Sequence, residues 1–340
     1  MSRKVTIKDI AKRANVSVAS VSYVMNNKRY VSPELRARIE EAIQELGYSP
    51  NLVARSLRQS RTKTIGLIVP DNSNPFFAEI AKGVEDAGFS AGYTVILCNS
   101  NAMPERELAY LEVLRSKQVD GIIFITTTAE IQQIQPLVAG GIPAVIFYRD
   151  SGDMNVDRFL IDNDRAGFLI TNHLIELGHR QIACIQPAST VTPSALRVAG
   201  FKRALEAHAL SYDEALMPRG DNLIAGGGRA TDELLQSGRP FTAVFATNDA
   251  MAIGCIRALR DNGIHVPDDV SVAGVDDIML ASIIEPPLTT VRQPKYEAGQ
   301  QAVEMLMDRM MRRYTNGPRQ VQLEITLVVR NSTAPPPSAY

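Results

Sequence analysis

The chain has 340 residues, of which 45% are hydrophobic and 21% are charged, and its formal net charge is −1. This length and apolar fraction are enough for a large core and predict two or three folding units. The first residues lead into no apolar segment, and no apolar run is long enough to cross a bilayer, so we expect a cytoplasmic protein with no membrane partner.

The near-neutral total hides an uneven distribution of charge along the chain. The first 63 residues contain 13 Lys and Arg against 5 Asp and Glu, whereas the rest of the chain contains 23 against 32. A basic head on an acidic body is typical of a protein that binds the phosphate backbone of DNA through its N-terminal part.

Residues 5 to 25 predict two short helices joined by a tight turn. Thr6 and Asp9 have the spacing of a helix N-terminus at which a hydroxyl and a carboxylate cap the first free amides, and Ser17 caps a second helix. Val21 and Val24 recur at helical spacing and give this second helix a buried side. Its other side carries small or hydroxylated residues without net charge, namely Val18, Ala19, Ser20, Ser22 and Tyr23. Such a face can enter the major groove of DNA, and the alternative is an ordinary helical hairpin.

A third helix is predicted to begin at Ser32 and Pro33 and to end at Gly47. Its apolar residues would close a small core against the first two helices, which makes residues 5 to 47 a self-contained unit. Residues 51 to 58 contain helix formers, but isolated helices shorter than about 12 residues are marginal in water, so we expect this segment to order only when it docks.

From Thr64 onward the pattern changes to alternating strands and helices. A continuous apolar run predicts a strand buried on both faces at 65–69. Further strands are predicted at 94–98, 121–125, 144–148, 182–185, 243–246 and 270–275, with a late strand at 321–329. Helical spacing predicts helices at 76–91, 108–114, 131–139, 166–177, 197–207, 250–262 and 296–313. The alternation predicts an α/β fold with two doubly wound lobes. Residues 286 to 291 are expected to cross from the second lobe to the first, where the last helix and the late strand would lie.

Four segments of the head resemble the N-terminal domain and hinge of the LacI/GalR family of bacterial repressors. They are residues 5–11 (VTIKDIA), 15–22 (NVSVASVS), 48–51 (YSPN) and 54–57 (ARSL). The resemblance implies a small all-α helix-turn-helix head followed by a two-lobed effector-binding domain of the kind found in periplasmic binding proteins. It also implies that the partner is double-stranded operator DNA with a pseudo-palindromic sequence, bound by a homodimer.

In that family the second helix enters the major groove, where the positions matching Val18, Ala19 and Tyr23 choose the bases. The hinge helices of a dimer pair in the minor groove, where a leucine matching Leu57 wedges between the central base pairs. The predicted DNA-binding residues are Thr6, Ser17, Val18, Ala19, Ser20, Ser22, Tyr23, Asn26, Asn51, Ala54, Leu57 and Arg58.

The resemblance also implies the domain boundaries. We expect a DNA-binding domain at 1–50, a hinge helix at 51–60 and an effector-binding domain at 61–333. Lobe one would comprise 61–161 and 292–325, lobe two would comprise 162–291, and residues 334–340 would form a disordered tail.

A cleft between two such lobes is the expected ligand site, because the carboxyl ends of the strands converge there. Residues at those ends resemble the sugar sites of the family and of periplasmic ribose-binding proteins. On that resemblance Phe76 and Phe77 would stack on the apolar faces of a sugar, while polar side chains bind its hydroxyls. The predicted effector-binding residues are Asn74, Phe76, Phe77, Tyr148, Arg149, Arg197, Asn248, Asp276 and Gln293. The alternative is that the two phenylalanines form the first core turn of a helix, with Phe77 contributing to the core more than Phe76.

Tyr148 departs from the ribose-binding pattern, since those proteins have an aspartate before the arginine that matches Arg149. A hydroxyl contact that they make would be lost or remade by a phenol. Residues 192–197 nevertheless resemble ribose repressors more than purine repressors. We therefore expect a pentose or hexose effector, with a purine or a phosphorylated sugar as alternatives. The ribose-type resemblance implies an inducer that releases DNA, whereas purine-type repressors of the family are tightened on DNA by their ligand.

A ligand-responsive transcription regulator is thus the leading interpretation, and a sugar-binding or sugar-modifying α/β protein with an incidental basic head is the alternative. We expect no enzymatic activity, cofactor or metal, because the sequence lacks a Gly-x-Ser-x-Gly motif and its four histidines show neither metal spacing nor an adjacent nucleophile. The glycines at 226–228 are expected to form a loop that enters a helix, not a phosphate-binding loop. Cys98, Cys184 and Cys255 lie in apolar surroundings and are expected to be buried thiols.

Overall fold

The structure, a computed structural model, describes residues 5–26, 29–48, 61–125, 135, 140–148, 156–187 and 194–337. Its internal contacts divide the chain into a small unit, Met1–Thr62, and a large unit, Lys63–Tyr340. The hinge segment predicted at 51–60 lies outside the described residues, as does the helix predicted at 131–139 apart from Gln135. Within the described parts of the chain, no helix is both long enough and apolar enough to span a membrane.

The small unit contains α1 at Ile7–Arg13, α2 at Val18–Asn26 and α3 at Pro33–Glu45. Each helix begins at the cap that the sequence predicts. The backbone N–H and the hydroxyl of Thr6 both donate to Asp9 Oδ2, at 2.8 and 2.6 Å. Ser17 Oγ accepts from the backbone N–H of Ser20 at 3.1 Å, and Ser32 Oγ accepts a first-turn N–H of α3 at 3.4 Å. Because these bonds satisfy amides that a helix leaves unpaired, the helix starts are set locally by the sequence.

The core of the small unit draws on all three of these helices. Ile10 of α1, Val21 of α2 and Ile39 of α3 are completely buried, and Val24 is buried beside them. The prediction that the three apolar faces close one small core is therefore confirmed.

Lobe one of the large unit is built on a six-stranded sheet. Its strands are β1 Thr64–Val69, β2 Thr94–Asn99, β3 Gly121–Ile125, β4 Ala144–Phe147, β5 Asp157–Ile161 and β10 Gln320–Leu323, and its helices are α4 Pro75–Ser90, α5 Pro104–Ser116 and α11 Lys295–Met310. The strands pair in parallel in the order β10-β5-β4-β3-β1-β2. Every residue of β3 and β4 is buried, as expected of central strands with helices on both faces.

Lobe two is built on a five-stranded sheet in the order β11-β9-β8-β7-β6, in which β11 alone runs antiparallel to its neighbour. Its strands are β6 Ile182–Ile185, β7 Ala243–Ala246, β8 Ser271–Asp276, β9 Thr289–Arg292 and β11 Thr326–Val328. Its helices are α6 Asn163–Glu176, α7 Ala195–Ala207, α8 Ile224–Gln236, α9 Asp249–Asp261 and the short α10 Met279–Ile283, with a 3-10 turn at Glu214–Leu216. The prediction of two doubly wound lobes is confirmed.

Glycines allow close approach between neighbouring helices in both lobes. A Cβ at Gly83 of α4 would lie 2.2 Å from the carbonyl oxygen of Tyr296 in α11, and one at Gly227 of α8 would lie 2.2 Å from that of Met251 in α9. Residues 226 to 228 therefore lie inside α8, and the predicted loop was wrong. Gly227 lets the backbones of α8 and α9 touch, whereas a Cβ at Gly226 would meet Asp221, and a triplet inside a helix is not a phosphate-binding loop.

Strand β5 was missed by the sequence reading because it begins with the charged pair Asp157 and Arg158. Asp157 is nevertheless buried, since Arg309 and Arg319 both approach its carboxylate at 2.7 Å. Burial alone would raise the pKa of Asp157, but the hydrogen bonds from the two arginines lower it overall. The carboxylate is therefore compensated by partners about half the chain away, which no local pattern reveals.

The course of the chain between the lobes differs from the prediction at its C-terminal end. Residues 289 to 292 form β9 of lobe two, so the crossing to lobe one comes after Arg292 and not at 286 to 291. The predicted late strand is divided at 324–325 into β10 of lobe one and β11 of lobe two. Within the predicted tail, the carbonyl of Ala334 accepts from His179 Nε2 at 2.8 Å, which ties this segment to lobe two.

Candidate functional site

The exposed face of α2 is the candidate DNA-contacting surface of the small unit. Val18 and Ala19 are exposed, and Ser20, Ser22 and Tyr23 are half-buried. The sequence of α2 contains no charged residue, so polar readout there would come from hydroxyls and the backbone. The predicted groove-facing residues of this helix thus lie on its accessible side.

The remaining predicted DNA contacts fall into two groups. Thr6 forms the capping box of α1, Ser17 caps α2, and Asn26 is the last residue of α2. The predicted hinge residues Asn51, Ala54, Leu57 and Arg58 lie outside the described residues. Contact with DNA stays a prediction for every residue of both groups.

A cavity of about 440 Å³ lies between the two lobes of the large unit, at the carboxyl ends of the strands. Its size is within the range of roughly 300–1,000 Å³ that small-molecule sites occupy. The predicted effector-binding residues that line it are Asn74, Phe76, Phe77, Tyr148, Arg197, Asn248, Asp276 and Gln293. Arg149 lies outside the described residues. The structure therefore brings the described members of the set together, and their contact with a ligand stays a prediction.

Lobe one supplies an aromatic wall. Asn74 caps α4, with its Oδ1 accepting from the Phe76 backbone N–H at 3.0 Å, and this cap places Phe76 and Phe77 in the first turn. The ring centre of Phe76 lies 5.1 Å from that of Phe77 and 5.5 Å from that of Tyr148. Phe76 is buried and Phe77 is half-buried, which reverses the expectation that Phe77 contributes more to the core. Both rings line the cavity all the same.

Lobe two supplies a polar wall centred on Arg197, which is 7% exposed. Its Nε donates to Asn163 Oδ1 at 2.9 Å, and its Nη1 donates to the carbonyl of Thr247 at 2.6 Å and to Asp276 Oδ1 at 3.1 Å. These bonds hold the guanidinium in one orientation. The group is thus positioned before any ligand arrives.

Two buried polar atoms in the cavity have no hydrogen-bond partner among the described residues. Gln293 Nε2 donates to Asp276 Oδ1 at 2.7 Å, but Gln293 Oε1 has no hydrogen-bond partner within the described structure, and neither has the hydroxyl of Tyr148. Buried polar atoms are nearly always paired in proteins, so these two atoms are candidates for hydrogen bonds with a ligand. Burial raises the pKa of Tyr148 far above its usual range, which keeps the phenol a neutral donor.

The carboxylates behind the polar wall are costly to ionise. Burial, followed by the negative charge of Asp276, raises the pKa of Asp249 to about 7. Burial also raises the pKa of Asp276, although Arg197 and Lys295 oppose the shift. Asp249 accepts from Thr290 Oγ1 at 2.6 Å and from the backbone N–H of Ile278 at 3.0 Å. It therefore anchors the turn that follows Asp276.

The charged side chains that line the cavity are mostly acidic. The structure places the carboxylates of Asp71, Asp221 and Asp276 there against one guanidinium, that of Arg197, which Asp276 already pairs. Asp221 has a partner outside the lining, Arg229. The electrostatics of the described lining therefore disfavour an anionic ligand.

Several lining residues were missed by the sequence reading. Asn163 follows β5, so predicting that strand would have placed it at a carboxyl end, where ligand-binding residues gather. Asp221 and Asn222 precede α8. In this segment the glycine triplet was interpreted as a loop, and these two polar side chains were not predicted. Asp71 follows β1 and carried the same positional signal as Asn74.

The predicted thiols behave as expected, since Cys98, Cys184 and Cys255 are all buried and free. Among the residues that the structure describes, no cluster of three or more His, Cys, Asp or Glu is arranged to hold a metal ion.

Two family models match the chain. Residues 6–51 match a model described as bacterial regulatory proteins of the lacI family, and residues 62–331 match one described as periplasmic binding proteins and sugar binding domain of the LacI family. Together the two matches cover both structural units.

Two similar proteins are named as repressors. The chain is 40% identical over 309 residues to the HTH-type transcriptional repressor PurR of Aliivibrio fischeri strain MJ11, covering 90% of this chain and 91% of the relative. It is 39% identical over 312 residues to the ribose operon repressor of Escherichia coli K12, covering 90% and 93%.

Similar solved structures include a DNA complex and a sugar complex. The lac repressor dimer bound to operator and the anti-inducer ONPF matches with a TM-score of 0.85 at 27% identity, over 98% of this chain and all of that one. A LacI family transcriptional regulator from Enterococcus faecium with bound ribose matches with a TM-score of 0.74 at 33% identity, over 80% of this chain and 99% of that one.

Proposed function

Since the chain belongs to the LacI family of bacterial regulatory proteins, we propose that it is a repressor whose affinity for operator DNA is lowered by a neutral sugar bound between its two lobes. It is a DNA-binding transcription regulator with a small-molecule effector and not an enzyme, in keeping with its repressor relatives. The choice of a sugar rests on one observation, which is that one wall of the cavity is aromatic and the other is polar.

A sugar ring offers apolar C–H faces and a rim of hydroxyls that both donate and accept. Phe76, Phe77 and Tyr148 of lobe one would contact a C–H face. Arg197 and Asp276 of lobe two would bind hydroxyls, and the unpaired atoms of the cavity require one donor and one acceptor from the ligand. A planar purine would favour aromatic contact on both of its faces, whereas the aromatic rings described here come from lobe one.

The charge of the lining separates neutral sugars from phosphorylated ones. Of the three carboxylates in the described lining, Asp276 is paired with Arg197 and Asp221 with Arg229, so a phosphate would meet no unpaired guanidinium among the described lining residues. Even if Arg149 contributes a second guanidinium, as predicted, acidic groups would still outnumber basic ones. We therefore propose a neutral pentose or hexose, acting as an inducer.

On the DNA side, we propose that a homodimer binds a pseudo-palindromic operator in the cytoplasm, where chromosomal DNA is accessible. Val18, Ala19 and Tyr23 of α2 would read base edges in the major groove, since they lie on its accessible side. The hinge residues, Leu57 above all, would enter the minor groove.

Two measurements on the full-length chain test this function. The protein first selects its operator from a random library of pseudo-palindromic duplexes, and thermal unfolding is then followed with D-ribose, D-xylose, D-glucose, D-galactose, their phosphates and purine bases. We expect a neutral sugar to raise the melting temperature with saturation and to weaken operator binding, because a ligand stabilises the state that it binds. Stabilisation by phosphates or purines, but by none of the neutral sugars, would contradict the assignment.

A further inference from the structure

Lys295 is a lysine that the structure buries almost completely, with 2% of its surface exposed. It is the first residue of α11, where a lysine would ordinarily extend into solvent. Its Nζ donates to the backbone carbonyls of Asp276 at 2.7 Å, Asp277 at 2.9 Å and Gln293 at 3.4 Å. An ammonium has three N–H donors, so the two short bonds leave one donor to share between the Gln293 carbonyl and the carboxylate of Glu79, whose Oε2 lies 3.5 Å from Nζ.

The carbonyls that Lys295 collects belong to an unusual turn. Asp276 has a φ of 132° and Asp277 a φ of 53°, a backbone region that residues other than glycine seldom adopt. Such a conformation persists only where surrounding contacts impose it. The ammonium of Lys295 supplies such contacts, because it binds both carbonyls at once.

The carboxylates of Asp276 and Asp277 are hydrogen-bonded by cationic side chains other than this lysine. Asp277 has its own partners, since Arg292 Nε and Arg330 Nη2 each approach its carboxylate at 2.6 Å. Asp276 Oδ1 accepts from Arg197. The hydrogen bonds that Lys295 donates to this turn are with main-chain oxygens, and they fix the backbone from which the Asp276 carboxylate enters the cavity.

Lys295 also connects the two lobes. Asp276 is the last residue of β8 of lobe two and Asp277 follows it, whereas Lys295 begins α11 of lobe one. Its Nζ lies 3.5 Å from Glu79 Oε2, on α4, one helical turn after the aromatic wall begins. Helices α4 and α11 touch through Gly83 and Gly299, so they should move as one body. A movement of lobe one therefore reaches the ammonium through both helices.

We propose that Lys295 is the positioning residue that holds Asp276 in its ligand-ready orientation and, through Glu79, couples that orientation to the position of lobe one. The proposal rests on the proposed function, in which a sugar in this cavity controls operator binding. The two kinds of contact have separable roles. The contacts with the carbonyls determine sugar affinity. The contact with Glu79 determines by how much the sugar changes operator affinity.

The test compares full-length variants with the neutral aldose, from the panel of D-ribose, D-xylose, D-glucose and D-galactose, that stabilises the wild type most. Lys295→Met keeps the length and apolar stem but removes the donors, and it should weaken sugar binding at least about tenfold, the loss expected for charged hydrogen bonds. Lys295→Arg retains charge and donors and should recover part of that affinity. Glu79→Gln should keep sugar affinity within about threefold, a difference of less than 1 kcal/mol, yet shrink the ratio of operator affinities without and with sugar.

The matched control is Lys202→Met, because Lys202 also pairs with a glutamate, Glu214, at 3.1 Å but lies at the surface of lobe two. It should leave both sugar affinity and the operator ratio unchanged. Wild-type sugar affinity in Lys295→Met, or a wild-type operator ratio in Glu79→Gln, would overturn the proposal. The operator ratio of Glu79→Gln tests the proposal even if Lys295→Met does not fold. A wild type whose operator binding ignores all four sugars would instead refute the proposed function itself.

Discussion

The two walls of the cavity differ in how far their polar groups are already hydrogen-bonded. The polar wall of lobe two is assembled in advance, with Arg197 held by Asn163, Thr247 and Asp276. The aromatic wall of lobe one consists of rings that contact one another, and the one polar group on these rings, the Tyr148 hydroxyl, has no hydrogen-bond partner among the described residues. We infer from the comparison that lobe two would orient a ligand, whereas lobe one would contribute contacts that a ligand completes.

The largest expected effect comes from breaking the polar wall at its centre. Arg197→Ala removes the partner of a buried carboxylate, which should lower the free energy of unfolding by about 3–5 kcal/mol and weaken sugar binding by at least about a hundredfold. Operator affinity without sugar should stay close to wild type. Calorimetric sugar titration, denaturant unfolding and operator titration measure the three quantities.

Arg203→Ala is the matched control for that variant, since Arg203 lies on the same helix, α7, and pairs with Asp164 at the surface. Exposed pairs contribute about 0–1 kcal/mol, so neither stability nor sugar affinity should change by more. If Arg197→Ala also abolishes operator binding without sugar, Arg197 has a structural role beyond the cavity.

The second prediction tests whether burial of the Asp249 carboxylate, behind the polar wall, costs electrostatic free energy when this group is ionised. Because the pKa of Asp249 is raised to about 7, the folded state binds a proton that the unfolded state has already lost at neutral pH. The contribution of Asp249 to the free energy of unfolding is complete below the pKa that an aspartate has in the unfolded chain. This contribution is lost as pH rises through about 7. The wild type should therefore lose about 1.4 kcal/mol of stability between pH 6 and 8 relative to Asp249→Asn.

Denaturant unfolding of both proteins at a series of pH values measures this difference. Asp157 and Asp277 do not interfere, because their pKa values are lowered and their contributions are lost only in acid. The charge of Asp276 helps to raise the pKa of Asp249, so the difference between the two proteins measures the titration of this pair. Parallel pH profiles for wild type and Asp249→Asn would show that Asp249 stays ionised throughout this range.

A smaller effect is expected from the aromatic wall. Phe77 is half-buried and lines the cavity, so Phe77→Ala should remove about 1–1.5 kcal/mol of contact with the sugar, or roughly tenfold in affinity. Its cost to stability should be below that of Phe76→Ala, which removes a buried ring. A sugar affinity unaffected by Phe77→Ala, measured by calorimetry, would show that the rings serve the core alone.

The smallest effect should come from Tyr148→Phe, and its two parts should have opposite signs. Removing an unpaired buried hydroxyl should leave stability unchanged or raise it by up to about 1 kcal/mol, while sugar affinity falls by about three- to tenfold. Thermal unfolding and sugar titration of the same preparation separate the two. A loss of stability would mean that the hydroxyl has a partner in the free protein.

The head and the central strands could be predicted because their signals are local. The caps at Thr6, Ser17 and Ser32 lie beside the helices that they start, and the apolar runs of β3, β6 and β7 match the strands residue for residue. The carboxyl ends of such strands then predicted where the cavity residues would gather.

The parts that could not be predicted depend on residues far apart in the chain. Strand β5 depends on two arginines from the last tenth of the chain, which compensate Asp157. The division of the late strand between two sheets depends on which neighbours are already paired. Lys295 carries no local sign of its burial, because its carbonyl partners come together only in the folded lobes.

The claim that the cavity controls DNA binding is tested most directly by titrating the stabilising sugar calorimetrically into the free full-length protein and into the same protein saturated with operator. Coupling between two sites is reciprocal, so the factor by which the sugar weakens operator binding must equal the factor by which operator weakens sugar binding. We predict a lower sugar affinity in the operator complex, by that same factor. Equal sugar affinities in the two states would mean that ligand binding in the cleft does not regulate the DNA-binding head.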